Sequence, residues 1–190
     1  MKAKGKLIVI VAPSGTGKST LIERLAKEFP EMKWSVSCTT RPIRTGEVHN
    51  VNYCFLTKDE FETKIKEDAF IEWAQVHSNY YGTLKSFVHD GLHRGEFLLF
   101  DIDVQGADNI KKHFDKDAEI IFIEPPSIEE LENRLNKRAT DAKEVIALRV
   151  ANAKKELKRK NDFDYLIMND DVEGAYQKLR DIVASIVGRN

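Results

Sequence analysis

The sequence predicts an α/β fold in which helices cover both faces of a parallel sheet. Two observations predict it: short runs that are almost wholly apolar, and intervening segments whose apolar residues recur at helical spacing. Strands buried on both faces have continuous apolar runs, whereas half-exposed strands alternate between apolar and polar residues. Four such runs predict the core strands, at residues 7–11, 97–100, 119–123 and 165–168.

Three helices around these strands have recognisable signals. Apolar side chains share one face of a first helix between residues 21 and 29, and an apolar stripe continues through residues 172–186. A third helix is indicated by the spacing within residues 128–135. Ser127 lies three residues before Glu130, which predicts a capping box at its start.

Residues 34–83 interrupt this alternation of strands and helices. Their short runs are rich in β-branched and aromatic residues, with one helix near residues 59–66. We interpret the segment as a small mixed β insert. A second polar interruption, at residues 138–145 between two helices, predicts a mobile flap. The predicted single domain therefore has a core of residues 1–33, 84–137 and 161–190, the insert of residues 34–83, and a helical lid region of residues 138–160.

The composition excludes several classes of function. A hydrophobic content of 42% with 32% charged residues is typical of a soluble globular protein. The formal net charge of −1 provides no general attraction to nucleic acid or membranes. Two cysteines exclude a disulfide framework, residues 1–6 do not resemble a signal peptide, and no run approaches the roughly 18 apolar residues of a membrane helix. We therefore expect a cytoplasmic protein without nucleic-acid or membrane partners.

The strongest chemical signal is a glycine-rich stretch that directly follows the first strand and opens a helix, as a P-loop requires. Gly15 and Gly17 allow several backbone N–H groups to face one phosphate, and the helix N-terminus adds positive charge. Lys18 is expected to bridge two phosphates of a nucleoside triphosphate, and the Ser19 hydroxyl to contact Mg²⁺. The flanking strand and helix disfavour an accidental turn. The predicted loop is Ala12, Pro13, Ser14, Gly15, Thr16, Gly17, Lys18, Ser19 and Thr20.

Two acidic residues follow another of the apolar runs. Asp101 and Asp103 come after residues 97–100, where a carboxylate can hold the water shell of Mg²⁺. An ordinary solvated loop or helix cap is the alternative, and the neighbouring P-loop favours a functional role. ATPases, GTPases and small-molecule kinases all use such loops, but the sequence lacks the Asn-Lys-x-Asp motif with which GTPases recognise their base.

A second anion site is indicated by residues 37–47, which combine hydroxyl side chains with two arginines. Arg41 and Arg44 could form a fork around a phosphate dianion, because guanidinium groups match phosphate geometry. Tyr53 and Tyr81 offer further donors to the same group. The alternative, a solvated turn with weak surface ion pairs, stays open at this point.

Glu72 lies inside an apolar run at residues 70–74. An unpaired buried charge is costly, so Glu72 needs a partner. Guanine is suitable because its N1–H and its N2 amino group present two adjacent donors to one carboxylate, whereas adenine presents no such pair. A strand whose glutamate simply faces water is a comparable alternative.

The ordered set of motifs resembles guanylate kinase over nearly the whole chain. Each short motif is weak, whereas their order and spacing together are highly specific. The motifs are the P-loop, Ser37-x-Thr39-Thr40-Arg41-x-x-Arg44-x-Gly46-Glu47, Tyr53-x-Phe55, Phe70-Ile71-Glu72-x-Ala74, Asn79-Tyr80-Tyr81-Gly82-Thr83, Asp101-Ile102-Asp103-x-Gln105-Gly106, Pro125-Pro126-Ser127 and Asn169-Asp170-Asp171.

The resemblance implies a P-loop NTPase core with a nucleotide-binding insert and a lid, which transfers the γ-phosphoryl group of ATP in line to GMP. It implies that Ser19, and Asp101 through water, hold Mg²⁺, and that Asn169 lies near the ATP adenine. The residues implied to bind GMP are Ser37, Arg41, Arg44, Glu47, Tyr53, Glu72, Tyr81, Thr83, Asp101 and Asp103. The cations implied to be catalytic are Lys18, Arg41, Arg134, Arg138 and Arg149.

Three residues depart from the family pattern where glycine is usual, namely Ala12, Asn50 and Ala139. Asparagine tolerates left-handed backbone best after glycine, so we expect the turn at Asn50 to survive. A non-catalytic guanylate-kinase-like binding module and a kinase acting on a ribose phosphate are the alternatives. Lys18 and Ser19 favour an enzyme, and the implied guanine contacts favour GMP.

Overall fold

The computed structural model describes residues 5–76, 78–137 and 143–189, and within these ranges nine strands form two sheets. The strands are β1 (Lys6–Val11), β2 (Lys33–Trp34), β3 (Cys38–Thr39), β4 (Cys54–Phe55), β5 (Phe70–Val76), β6 (Asn79–Leu84), β7 (Phe97–Asp101), β8 (Ala118–Glu124) and β9 (Tyr165–Met168). The helices are α1 (Lys18–Glu28), α2 (Lys58–Lys66), α3 (Lys85–Arg94), α4 (Val104–Phe114), α5 (Ile128–Lys137), α6 (Lys143–Leu157) and α7 (Val172–Val187).

The main sheet is parallel and has the order β2-β7-β1-β8-β9. Its central strand β1 is buried on both faces: Ile8 and Ile10 pack with α1 and α7, and Leu7 and Val9 pack with α3 and α4. Burial on both faces explains the continuous apolar runs. Because β1 and β7 are neighbours, with Ile10 paired to Asp101, the loops that follow them meet at the carboxyl edge of the sheet.

The second sheet is mixed and has the order β4-β3-β6-β5. Its small core is aromatic. Phe61 of α2 is fully buried and stacks on Phe70 and Tyr80, with ring centroids 4.3 and 5.2 Å apart. A reciprocal capping box of Thr57 and Glu60 starts α2. The second sheet therefore has a hydrophobic core of its own.

Helices α5 and α6 pack against each other through Leu131, Leu135, Ile146, Val150 and Ala153. The predicted cap of α5 is half formed. The Ser127 hydroxyl accepts a hydrogen bond from the Glu130 N–H at 3.1 Å, but the Glu130 carboxylate accepts one from Arg134 at 3.0 Å instead of completing the box. Arg138 and Ala139, which we assigned to the lid, lie outside the described residues.

All four predicted core strands are confirmed, whereas β2 was missed. This strand has only two residues, both exposed, so no apolar run identifies it. Trp34, at the start of the predicted insert, pairs with Leu99 of the main sheet, and Leu84, one residue past its predicted end, belongs to the second sheet. Within the described ranges, no helix is both long and apolar enough to cross a membrane.

Candidate active site

The loop between β1 and α1 is closed by its own hydrogen bonds. The Thr16 N–H and the Thr16 hydroxyl both donate to the Pro13 carbonyl, at 3.2 and 2.7 Å. Gly15 and Gly17 have φ values of 90° and 95°, in the left-handed region that glycine adopts without strain. Ala12 lies outside that region, so the replacement of the usual glycine carries no such strain. The predicted P-loop conformation is therefore present.

A cavity of about 390 Å³ lies over this loop. The Lys18 ammonium pairs with the Asp101 carboxylate and donates to the Ile102 carbonyl at 3.2 Å. The Asp103 carboxylate accepts the Gly106 N–H at 2.8 Å and so caps α4. The loop backbone, the Lys18 side chain and Ser19 thus line one cavity, and these are the groups that a bound phosphate chain requires. The cavity is lined by residues 12–19, Asp101, Asp103 and Glu156.

A second cavity, of about 230 Å³, has Glu72 in its wall. The Thr83 hydroxyl donates to the Glu72 carboxylate at 2.7 Å. Burial raises the pKa of Glu72; the Thr83 hydrogen bond opposes this shift, and the Asp103 carboxylate adds to it. The structure therefore favours a cavity-facing Glu72 over one that faces bulk water. The predicted residues that line this cavity are Ser37, Tyr53, Glu72, Tyr81, Asp101 and Asp103.

Arg41 is held in place by Glu47. Its guanidinium donates to the Glu47 carboxylate at 2.7 and 3.1 Å, and the same carboxylate accepts the Arg44 N–H at 2.7 Å. The Arg41 bond and then the Arg44 N–H lower the pKa of Glu47. Arg41 also lies 5.4 Å from the centroid of the Tyr53 ring. The structure thus brings Arg41, Glu47 and Tyr53 together and leaves the Arg44 side chain exposed.

The turn that precedes Tyr53 contains Asn50 where glycine is usual. Asn50 has a φ of 62°, and its N–H donates to the Tyr53 carbonyl at 2.8 Å, so asparagine is accommodated as expected. The turn sets the Tyr53 ring against Tyr81, with centroids 6.2 Å apart. Burial, and after it the neighbouring Tyr81, raise the pKa of Tyr53. The two phenols therefore share one wall of the second cavity.

A third cavity, of about 400 Å³, adjoins the same loop. Asn169 in its wall is buried, and its Nδ2 donates to the Thr16 carbonyl at 2.6 Å. Its Oδ1 has no hydrogen-bond partner among the described residues. The Arg134 guanidinium donates to the backbone carbonyls of Thr16 and Asn169 at 3.3 Å. This cavity is lined by Gly15, Gly17, Thr20, Arg134, Lys137, Asn169 and Val172.

Two of the predicted lid arginines, Arg134 and Arg149, lie at different places in the structure. Arg149 of α6 reaches the P-loop, where its Nη1 lies 3.4 Å from the Ser14 hydroxyl oxygen. Arg134 lines the third cavity and does not line the cavity over the loop. Arg138 falls outside the described residues.

Sequence reasoning missed Glu156. This half-buried residue of α6 lines the cavity over the P-loop with Asp101 and Asp103. Burial raises the pKa of Glu156, the Asp103 carboxylate adds to the shift, and Lys18 opposes it. Spacing was the available signal, since Glu156 follows Arg149 by seven residues, which places both on one face of the helix.

Comparison with known proteins agrees with this geometry. A family model described as Guanylate kinase matches residues 4–186. The chain belongs to the guanylate kinase family. The guanylate kinase of Rickettsia felis is 46% identical over 185 residues, which cover 97% of this chain and 96% of that protein. The guanylate kinase of Caldanaerobacter subterraneus subsp. tengcongensis is 45% identical over 183 residues, which cover 96% and 88% of the two chains.

A solved structure extends the likeness to the backbone. The crystal structure of guanylate kinase from Anaplasma phagocytophilum matches with a TM-score of 0.73 at 31% identity, and the match covers 97% of this chain and 87% of that one. The resemblance drawn from the motifs is therefore confirmed, and so is the P-loop NTPase fold with its second, mixed sheet.

Proposed function

We propose that this member of the guanylate kinase family transfers the γ-phosphoryl group of ATP to GMP, giving ADP and GDP. One observation carries the proposal: the cavity over the P-loop and the cavity beside Glu72 share Asp101 and Asp103. A triphosphate on the loop and a monophosphate in the second cavity would face each other at the end of β7. Direct in-line transfer needs such an arrangement of donor and acceptor.

The pair of Glu72 and Thr83 supports guanine as the accepting base. The carboxylate accepts the Thr83 hydroxyl at 2.7 Å and keeps further lone pairs for the N1–H and N2 amino group of guanine. Ser37 lines the same cavity and adds a hydroxyl. Adenine would leave the Glu72 charge without these donors, which is costly in a partly buried site. A kinase acting on a ribose phosphate would have no use for this carboxylate.

The GMP phosphate would lie against Arg41, Tyr53 and Tyr81, with Arg44 joining from the exposed turn. Glu47 already fixes the Arg41 guanidinium with two hydrogen bonds, so little side-chain freedom remains to be lost on binding. No general base is needed, because the accepting phosphate is anionic. The chain therefore acts by positioning and by cations aimed at the transferring group, for which we propose Lys18, Arg41, Arg134, Arg138 and Arg149.

ATP is supported as the donor by the third cavity. The unpartnered Asn169 Oδ1 is an acceptor suited to the amino group of adenine. The adjacent P-loop would receive the phosphates, since Gly15 and Gly17 line both this cavity and the cavity over the loop.

The donor set over the loop fits Mg²⁺, which accompanies ATP in this chemistry. The Ser19 hydroxyl would bind it, with Asp101 acting through water. Within the described ranges, no three His, Cys, Asp or Glu side chains are close enough to hold an ion directly, and Mg²⁺ commonly keeps several of its waters. Bound Mg²⁺ supplies positive charge that offsets the charge on the β- and γ-phosphates.

We also propose the roles of the parts of the domain. The second sheet with α2 would bind GMP, and the α5–α6 region would act as the lid; their approach would exclude water and limit ATP hydrolysis. A cytoplasmic location is supported by Cys38 and Cys54, which are both free thiols, as is usual in a reducing compartment.

A coupled ADP-release assay with GMP, AMP, CMP and UMP as acceptors tests the proposal. We expect turnover with GMP to exceed turnover with the other three clearly. Lys18→Ala should abolish turnover and retain the fold, and Lys27→Ala, an exposed residue on the same helix, should behave like the wild type. A preference for AMP would refute the proposed substrate. GMP binding without any turnover would favour the non-catalytic binding module.

A further inference from the structure

Helix α6 presents two opposite charges to the P-loop region. Arg149 contacts Ser14, with 3.4 Å between Nη1 and Oγ. Seven residues later, Glu156 lines the cavity over the loop together with Asp101 and Asp103. The two positions lie about 10 Å apart along the helix axis, because each residue rises about 1.5 Å. Glu156 therefore reaches the cavity at a point away from the contact between Arg149 and Ser14.

The three carboxylates of this cavity differ in their partners. Asp101 pairs with Lys18, and Asp103 accepts the Gly106 N–H at the start of α4. Across the described part of the chain, the Glu156 carboxylate makes no hydrogen bond or ion pair, and the charges that act on it are Asp103 and Lys18. A half-buried carboxylate beside a like charge is unfavourable unless a cation joins the two.

The identity of that cation follows by elimination among the groups that can enter the cavity. Lys18 is committed to the phosphates once ATP binds. Glu156 does not line the cavity beside Glu72 in which we propose that guanine binds. The metal ion of MgATP is left. Because the described residues offer no cluster that would bind a metal directly, contact through the water ligands of the ion fits best.

We propose that Glu156 is a positioning residue for Mg²⁺, whose water ligands donate hydrogen bonds to its carboxylate from the side that α6 covers. This inference rests on the proposed function, and it adds a carboxylate from the lid to Ser19 and Asp101 from the core. It has two consequences of opposite sign. In the presence of the metal Glu156 strengthens ATP binding, whereas in its absence the negative charge repels the triphosphate.

The variant Glu156→Gln separates these two consequences. ATP binding to the full chain is measured by titration calorimetry with Mg²⁺ and again with EDTA. The gain in ATP affinity that Mg²⁺ provides should fall about tenfold or more, as for other groups that orient a metal's ligands. The affinity for metal-free ATP should stay unchanged or rise. Glu144→Gln, an exposed residue of the same helix, should leave both affinities unchanged.

Two further measurements keep the test independent of activity. Electron paramagnetic resonance of Mn²⁺ in the presence of ATP should show weaker cation binding by Glu156→Gln. Glu156→Asp keeps the charge and should recover part of the metal-dependent gain. An equal loss of ATP affinity with and without metal would overturn the inference and indicate a structural role, as would an unchanged metal-dependent gain or a selective loss of GMP binding. A wild-type chain that binds no MgATP would refute the proposed function itself.

Discussion

Glu72→Gln is the sharpest test of base recognition, because it changes one oxygen to an amide nitrogen and preserves the shape of the side chain. Glutamine can still accept the Thr83 hydroxyl, but it then turns its NH₂ group toward one of the two guanine donors. One hydrogen bond to a charged group is lost, at about 1.5–3 kcal/mol, and a donor faces a donor. At about 1.4 kcal/mol per factor of ten, kcat/KM for GMP should fall about 10- to 140-fold.

The fold should not be weakened by this substitution. Burial raises the pKa of Glu72, so the ionised carboxylate is disfavoured in the folded protein and a neutral amide avoids that cost. We therefore expect the loss to appear in the KM for GMP, with kcat/KM for AMP maintained and the urea unfolding midpoint at least as high as that of the wild type. Glu67→Gln, an exposed residue of the same insert, is the matched control. An unchanged ratio of GMP to AMP turnover would show that Glu72 does not recognise the base.

Three further substitutions or conditions test neighbouring parts of the site. Gly17→Ala places a Cβ 2.7 Å from the Asn169 Nδ2, at a backbone φ of +95°. The KM for ATP should therefore rise at least about tenfold, whereas the affinity for GMP, measured by calorimetry, should be retained. An unchanged KM for ATP would contradict the expected clash. Glu47→Gln weakens the two hydrogen bonds that orient the Arg41 guanidinium, so the KM for GMP should rise about 5- to 10-fold with little change in the KM for ATP. Equal rises in both KM values would argue for general unfolding instead. Because burial raises the pKa of Glu72, the contribution of this residue to stability is present below the ordinary value of 4.5 and is lost as the pH rises through the folded value. Glu72→Gln should therefore gain unfolding free energy relative to the wild type as the pH rises above 4.5. Urea titrations in which the difference does not depend on pH would refute this reasoning.

The core of the fold could be predicted because burial on both faces leaves a direct trace in the sequence. Residues 7–11 are all fully buried and all apolar, so the strand is visible without knowledge of its neighbours. β2 leaves no such trace, since Lys33 and Trp34 are both exposed and the strand exists only because it pairs with β7. For the same reason, composition places Trp34 in the predicted insert whereas pairing places it in the main sheet.

Many residues that line the three cavities could be named from the sequence, whereas their contacts could not. The P-loop is a local structure, so its conformation follows from Gly15, Gly17 and the flanking elements. The hold of Glu47 on Arg41 depends on the turn in which the Glu47 N–H donates to the Arg44 carbonyl, and no spacing rule gives that turn. Glu156 was missed because a charged residue on a helix is ordinarily a solvated one, and only the packing of α6 over the loop turns this residue toward the cavity.

The pairing of Lys18 with Asp101 links the binding of ATP to the binding of the metal ion. Lys18 is paired with Asp101, so an incoming phosphate must compete with this carboxylate for the ammonium group. When a triphosphate draws Lys18 away, Asp101 loses its partner at the position where the metal's water shell is expected. Departure of Lys18 and arrival of the metal are then energetically linked, since either event alone leaves a carboxylate or a phosphate uncompensated. Metal-free ATP should for this reason bind more weakly than MgATP, and in Asp101→Asn, where no charge is released, the difference should shrink.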